Sequence, residues 1–218
     1  LDAVDGAVAA RMAGLRGGQS AGERLVRKVI DGVMSAKLAG FDAEKGEIKL
    51  NAVIKRGEND HQLLPLAALA RRHRLELRLI EYMDVGSRNG WVQDQVLPAA
   101  EMVRRIQARW PLEALGRDSG ATANRWRYRD DRGELGVIAS ISEPFCGDCN
   151  RLRITADGQA FTCLFASEGF DLKPVLNNAA ALQQRIAGLW IHRSDHYSED
   201  RHRHVPRPSH AEMAYLGG

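Results

Sequence analysis

"EIKLNAVIKRGENDHQLLPLAALARRHRLELRLIEYM", residues 47–83, changes its periodicity twice. From Glu47 to Lys55 the side chains alternate. Ile48, Leu50, Ala52 and Ile54 fall on one side, and Lys49, Asn51 and Val53 on the other, which is the pattern of a strand. "GEND" (57–60) is a turn. Asp60 can cap a helix running through His73, with Leu63, Leu64, Leu66, Ala67, Leu69 and Ala70 apolar. "LELRLIEYM" (75–83) is a second strand. Two strands of similar length around one helix predict a parallel pair with a right-handed crossover, and hence an α/β fold. Sheets and barrels of this kind hold ligands at the carboxyl ends of their strands. Met83 and the loop "DVGSRNGW" (84–91) lie at that end.

Upstream, "SAGERLVRKVIDGVMSAKLAGF" (20–41) is a helix. Ser20 and Glu23 have capping-box spacing, and Gly40 stands where a left-handed residue ends a helix. A shorter helix is expected from Val4 to Leu15, stopped by Gly17-Gly18. Downstream the pattern changes after Pro98. A helix is expected from Ala99 to Arg109, then a loop, then a hairpin in "RWRYRDDRGELGVIASIS" turned at "DDRG" (130–133). "RLRIT" (151–155) and "QAFTCLF" (159–165) read as strands joined by a turn, and a helix follows over about residues 175–190. A boundary is placed near residues 95–100, giving domains 1–97 and 98–218.

The 218 residues are 44% hydrophobic and 27% charged, which suffices for a globular core. No window approaches the roughly 18 apolar residues of a membrane span, and no export signal is read at the start. A cytoplasmic protein is expected. The sequence opens on "LDAVD" without an initiator Met, so it reads as a piece beginning inside a longer protein. The net charge of +3 fits an anionic substrate but lacks the blocks expected of a nucleic-acid arm. The His/Arg stretch "HRSDHYSEDRHRH" (192–204) also carries acids and reads as a solvated loop or helix face.

All three cysteines sit close together in the chain: Cys146, Cys149 and Cys163, spaced C-x2-C-x13-C. A disulfide scaffold is disfavoured by the odd count and the expected reducing compartment. Zinc would require a fourth ligand, with His192, His196, His202, His204 and His210 as candidates. A 4Fe–4S cluster on three thiolates would leave one iron open. Spacing alone leaves zinc and iron–sulfur level. Arg151 and Arg153 follow at alternate strand positions and so project to one side. Paired guanidinium groups suit a polyanionic ligand, whereas a zinc ribbon gains nothing from them.

"PFCGDCNRLRITADGQAFTCLF" (144–165) resembles the C-terminal cluster motif of the radical-SAM GTP 3′,8-cyclases of molybdenum cofactor biosynthesis. "LDAVD" (1–5), "IKLNAVIKRGEND" (48–60), "LRLIEYMDVG" (77–86), "HYSEDR" (196–201) and "YLGG" (215–218) are similar to further motifs of that family, in the same order. The resemblance implies a partial (β/α) barrel of the radical-SAM type lacking its N-terminal part, followed by an α+β iron–sulfur domain. It implies a lyase that converts GTP to 3′,8-cyclo-7,8-dihydro-GTP with S-adenosylmethionine. By the same resemblance, Cys146, Cys149 and Cys163 would hold the 4Fe–4S cluster that binds guanine. Lys49, Arg151, Leu152 and Arg153 would contact GTP, Met83 would line the S-adenosylmethionine pocket, and Gly217 and Gly218 would form the tail that enters the site. The family's first cluster uses three further cysteines in a C-x3-C-x2-C loop, and this chain has none before Cys146. The expected partners are therefore GTP and either the missing N-terminal part or a second copy, with neither membrane nor nucleic acid. A non-catalytic zinc-binding module is the alternative.

Overall fold

The computed structural model describes residues 1–86, 90–201 and 211–216. Its packing forms two compact units: residues 1–82 with 93–143, and residues 83–92 with 144–218. The first is built on one five-stranded mixed sheet, in the order β1-β2-β5-β4-β3. The strands are β1 (Lys49–Ile54), β2 (Glu76–Glu81), β3 (Leu112–Gly116), β4 (Asn124–Tyr128) and β5 (Glu134–Ile138). β1 pairs with β2 in parallel, and β2 with β5, while β4 and β3 continue antiparallel. The expected α/β class and the parallel β1–β2 pair are borne out. The hairpin turned at residues 130–133 joins β4 to β5. The composition change near residue 97 falls inside this unit, because β3, β4 and β5 extend the sheet begun by β1 and β2.

Alternation decides which face is covered. Leu50, Ala52, Ile54, Leu77, Leu79, Leu135 and Val137 are buried in one cluster. Leu63, Leu66, Ala67 and Ala70 of α3 (Leu63–Arg72) join it, as do Met102 and Ile106 of α4 (Ala99–Gln107). The strand register aligns the opposite face in rows. Lys49 stands beside Glu76, Asn51 beside Arg78, and Val53 beside Ile80. Glu81, fully buried at the end of β2, fastens three segments. Its carboxylate accepts from the backbone N–H of Ala99 at 2.8 Å, Ile141 at 2.8 Å and Ser142 at 2.9 Å.

Several helix boundaries differ from expectation. α1 spans Gly6–Met12, shorter than Val4–Leu15, because Asp5 caps it by accepting from the Val8 N–H. α2 spans Gly18–Leu38 and begins at a left-handed Gly17, which leaves Ser20 inside the helix, so the expected capping box does not form. Glu23 instead accepts from Gln19 Nε2 at 2.8 Å. Gly40 does follow the helix end in a left-handed conformation, φ 99°. Asp60 heads a 3₁₀ turn, Asp60–Gln62, and its carboxylate takes the Gly57 N–H and Arg105 rather than capping α3. β3 lies in what the sequence reads as loop.

The second unit holds a small antiparallel sheet, β6 (Arg153–Ile154), β7 (Gln159–Phe161) and β8 (Phe170–Asp171), with α5 (Ala179–Ile191) and α6 (Tyr197–Asp200). Among the described residues no helix is long and apolar enough to cross a membrane.

Candidate functional site

Cys146 opens a 3₁₀ turn, Cys146–Asp148, closed by the Cys149 N–H donating to the Cys146 carbonyl at 3.2 Å. A tight turn of this kind brings the two thiols of a C-x2-C to one side. The chain then enters β6, reverses through residues 155–158 and returns along β7, with Arg153 opposite Phe161 and Ile154 opposite Ala160. Cys163 follows two residues after β7. The hairpin thus reverses the chain between the C-x2-C turn and Cys163. All three are half-buried free thiols.

The charges in this neighbourhood act on one another. Burial pushes the Cys163 thiol up to about 11, with the charge of Cys146 adding to the rise. Burial, then the neighbouring Arg151, hold the Arg153 guanidinium below its ordinary value, while Cys149 and Cys163 oppose that shift. Arg153 therefore lies among the thiols, with Arg151 beside it. Arg151 Nη2 donates to Cys149 Sγ at 2.9 Å, and its guanidinium stands 5.1 Å over the Phe145 ring. Its Nη1 is buried and finds no acceptor among the described residues. A buried guanidinium nitrogen without an acceptor is costly, and a ligand oxygen would relieve it.

Among the described residues no three Cys, His, Asp or Glu side chains converge on one point that could hold a metal ion. No described histidine therefore joins the thiols as the fourth ligand of a zinc site. The donors on offer are three half-buried thiols, with Arg151 bonded to Cys149 and the charge of Arg153 acting on Cys149 and Cys163. That set suits a cluster of several metal atoms that also meets an anion.

The other expected residues are distributed as follows. Leu152 is half-buried between the two arginines. Met83 is half-buried just beyond β2, in the segment that packs with the second unit. Lys49 belongs to the first unit, on the edge strand β1 and on the face away from the core. It is 41% exposed, and its Nζ lies 3.8 Å from Glu76, whose carboxylate also takes Arg78 Nε at 2.6 Å. These residues line a polar cavity of about 460 Å³ with Arg125, Arg127 and Glu134. Gly217 and Gly218, and His202, His204 and His210, lie outside the described residues.

The reading of residues 192–204 as a solvated stretch holds only in part: His192, Ser194 and Glu199 are exposed, and residues 202–204 lie outside the described residues. Arg193 is 11% exposed and Arg201 only 4%. Arg201 Nη2 donates to Asp84 at 2.9 Å and Tyr197 Oη to the same carboxylate at 2.8 Å, while the Tyr197 ring stacks on Phe165 at 4.6 Å. Arg193 and Asp195 form an ion pair. Glu199 accepts from the Gly147 N–H at 3.1 Å and pairs with His196 at 2.9 Å. The acids mixed among the bases suggested solvent. The signal against that reading was aromatic Tyr197 set among them.

A family model described as Molybdenum Cofactor Synthesis C matches residues 75–199. A GTP 3′,8-cyclase of Synechococcus sp. (strain CC9605) is 67% identical over the whole chain, which covers 63% of that protein. A GTP 3′,8-cyclase of Xanthomonas axonopodis pv. citri is 44% identical, with the chain again fully aligned and 63% of the relative covered. One of Acidothermus cellulolyticus is 51% identical over 79% of the chain and 49% of its own length. The chain thus spans somewhat under two thirds of the relatives it matches. The matched span holds the thiols, both neighbouring arginines and the Asp84 loop, and the chain belongs to the molybdenum cofactor synthesis C family.

Proposed function

We propose that this chain is the guanine-binding portion of a radical-SAM GTP 3′,8-cyclase, a lyase that forms 3′,8-cyclo-7,8-dihydro-GTP in molybdenum cofactor biosynthesis. On this reading Cys146, Cys149 and Cys163 hold a 4Fe–4S cluster. The bound cluster supplies one iron without a protein ligand, a place for a nitrogen or oxygen of the guanine. The residues of the chain do the rest. Arg151 and Arg153 neutralise the thiolates on one side and grip GTP oxygens on the other, with Leu152 against the nucleotide between them. Lys49 adds a cation for GTP from the barrel portion, and the later segment that carries the three thiols forms the cluster domain. Met83 lines the place of S-adenosylmethionine, and Gly217 and Gly218 close on the substrate. The complete reaction needs a second cluster, contributed by a further polypeptide segment or partner. Free thiols and the absence of a membrane-crossing helix among the described residues agree with work in the reducing cytoplasm.

The single observation that carries this reading is the buried Arg151 Nη1 without an acceptor among the described residues, on a guanidinium that also bonds the Cys149 thiol. The test is anaerobic reconstitution of the chain with iron and sulfide, followed by metal analysis and electron paramagnetic resonance with and without GTP. We expect about four irons per chain for one such cluster, and a spectrum that GTP shifts. Stoichiometric zinc with no response to GTP would replace this reading with a structural zinc module.

A further inference from the structure

We infer that Arg193, working through Asp195, is the positioning residue that sets Cys163 against the Cys146–Cys149 turn. The inference rests on the cluster reading for its purpose, but its geometry stands within this chain. The three thiols come from two separate stretches of backbone, a turn at 146–149 and the strand exit at 163. The β6–β7 ladder pairs Arg153 with Phe161 and Ile154 with Ala160, and at its turn end the Thr155 N–H donates to the Gln159 carbonyl at 2.9 Å, which leaves Cys163 beyond the other end. A ladder this short fixes such a hairpin weakly. Something further has to hold the two stretches at a constant separation.

Arg193 reaches one stretch directly. Its Nη1 donates to the backbone carbonyl of Cys149, itself a thiol-bearing residue. It reaches the other stretch through Asp195. Arg193 Nε donates to Asp195 Oδ1, and Thr162 Oγ1 donates to Asp195 Oδ2 at 2.5 Å. Thr162 is 6% exposed and immediately precedes Cys163. Arg193 Nη2 also donates to the Asp195 carbonyl at 3.3 Å, closing the two residues into one rigid unit. The guanidinium is planar and presents its donors in a fixed fork, so the Cys149 carbonyl and the Asp195 carboxylate are held at a set angle. The chain of bonds runs Cys149 carbonyl, Arg193, Asp195, Thr162, Cys163. No sulfur takes part in it, so it acts on the backbone that carries the sulfurs. The Cys146–Cys149 pair shares one anchor with this relay but keeps two holds of its own, the Cys149 N–H on the Cys146 carbonyl and the Gly147 N–H on Glu199, which loss of Arg193 leaves in place.

That separation makes the inference testable without any metal. Apo chain, reduced and anaerobic, is treated with a short bis-thiol-reactive reagent, and the bridged peptides are quantified by mass spectrometry. In the wild-type chain both the Cys146–Cys149 bridge and bridges from Cys163 to that pair are expected. In R193Q and D195N, bridges to Cys163 should fall several-fold relative to the Cys146–Cys149 bridge. R193K should recover part of the loss, since a lysine keeps the charge but cannot fork to both partners. Circular dichroism excludes global unfolding. T162V, which removes only the hydroxyl link, gives a second, milder break in the same relay. If bridges to Cys163 keep their share in R193Q and T162V, the inference is wrong. The same proteins are then reconstituted with iron and sulfide. Failure of the wild-type chain to take up iron would overturn the proposed function, and the bridging ratios would still judge Arg193. If the wild type does take up iron, R193Q should lose it about 10-fold or more faster to a chelator, the loss typical of residues supporting metal ligands, with an altered paramagnetic spectrum.

Discussion

The buried cations of this protein each have a purpose legible in their neighbours. Arg71, on α3, is 8% exposed as a side chain. It forks onto Asp130 at 3.1 and 2.6 Å, and its guanidinium lies 4.3 Å over Tyr128 and 4.8 Å over Trp110. It thereby ties the helix to the turn of the β4–β5 hairpin. Asp130 is half exposed, so solvent screens the pair and its worth is discounted to about 1 kcal/mol. The hydrogen bonds from Arg71 hold the Asp130 carboxyl below its ordinary 3.8. A carboxyl depressed in the folded state stabilises the fold above its unfolded value and loses that contribution as pH falls through the folded one. D130N should therefore melt about 2–4 °C lower than the wild type near neutral pH. The gap should close as the pH drops below 3.8, where the wild-type carboxyl takes up its proton. A gap that persists undiminished at low pH would show that the pair acts through shape and not charge.

At the scale of elements, close approach matters more than charge. α1 and α2 meet backbone to backbone at two glycines. A Cβ on Gly22 would lie 1.7 Å from the Gly6 carbonyl oxygen, and one on Gly6 would lie 2.8 Å from the Gln19 carbonyl oxygen. Neither obstacle is the end of a flexible side chain, so the helices would have to part. G22A, although it improves helix propensity, should cost about 2–3 kcal/mol by overpacking. G32A, whose Cβ meets nothing within 4 Å, should be neutral or stabilising, and chemical denaturation of both variants checks the contrast. Sequence reasoning recovered the elements whose period is strong. β1, α3 and β2 were legible because Leu50, Ala52, Ile54 and the Leu63–Ala70 stripe obey one period each over enough residues. It failed where the deciding partner is distant. Ser20 and Glu23 have the spacing of a cap, but Gly17 starts the helix earlier. β3 carries little alternation, and its pairing with β4 is what makes it a strand. The cysteine turn and both arginines beside it were legible from local spacing. Arg193 and Asp195 were not, since their partners, Cys149 and Thr162, lie more than thirty residues away.

For the whole molecule, the distribution of charge and of cysteine bounds what the chain can do by itself. The sheet in the first unit is covered on one face by α3 and α4. Its other face presents Lys49, Glu76, Arg78, Arg125, Arg127 and Glu134 around a polar cavity. A face so charged is costly to bury against an apolar partner but well suited to an anion with counter-charges of its own. The 218 residues contain three cysteines, all between positions 146 and 163. Under the proposed function, the three thiolates would hold one cluster whose open iron meets the guanine. Reductive cleavage of S-adenosylmethionine would require a second set of ligands, which these cysteines cannot supply at the same time. The 218-residue chain, reconstituted anaerobically and given GTP, S-adenosylmethionine and dithionite, should therefore yield neither 5′-deoxyadenosine nor cyclic nucleotide. GTP should nonetheless bind, and R151A should weaken it by about tenfold or more, the loss of one charge-assisted fork. Binding without turnover, read by calorimetry and product chromatography on the same sample, separates the two roles. Turnover by this chain alone would mean that its single thiol set serves S-adenosylmethionine, and the guanine would then have to be held by the arginines without an iron.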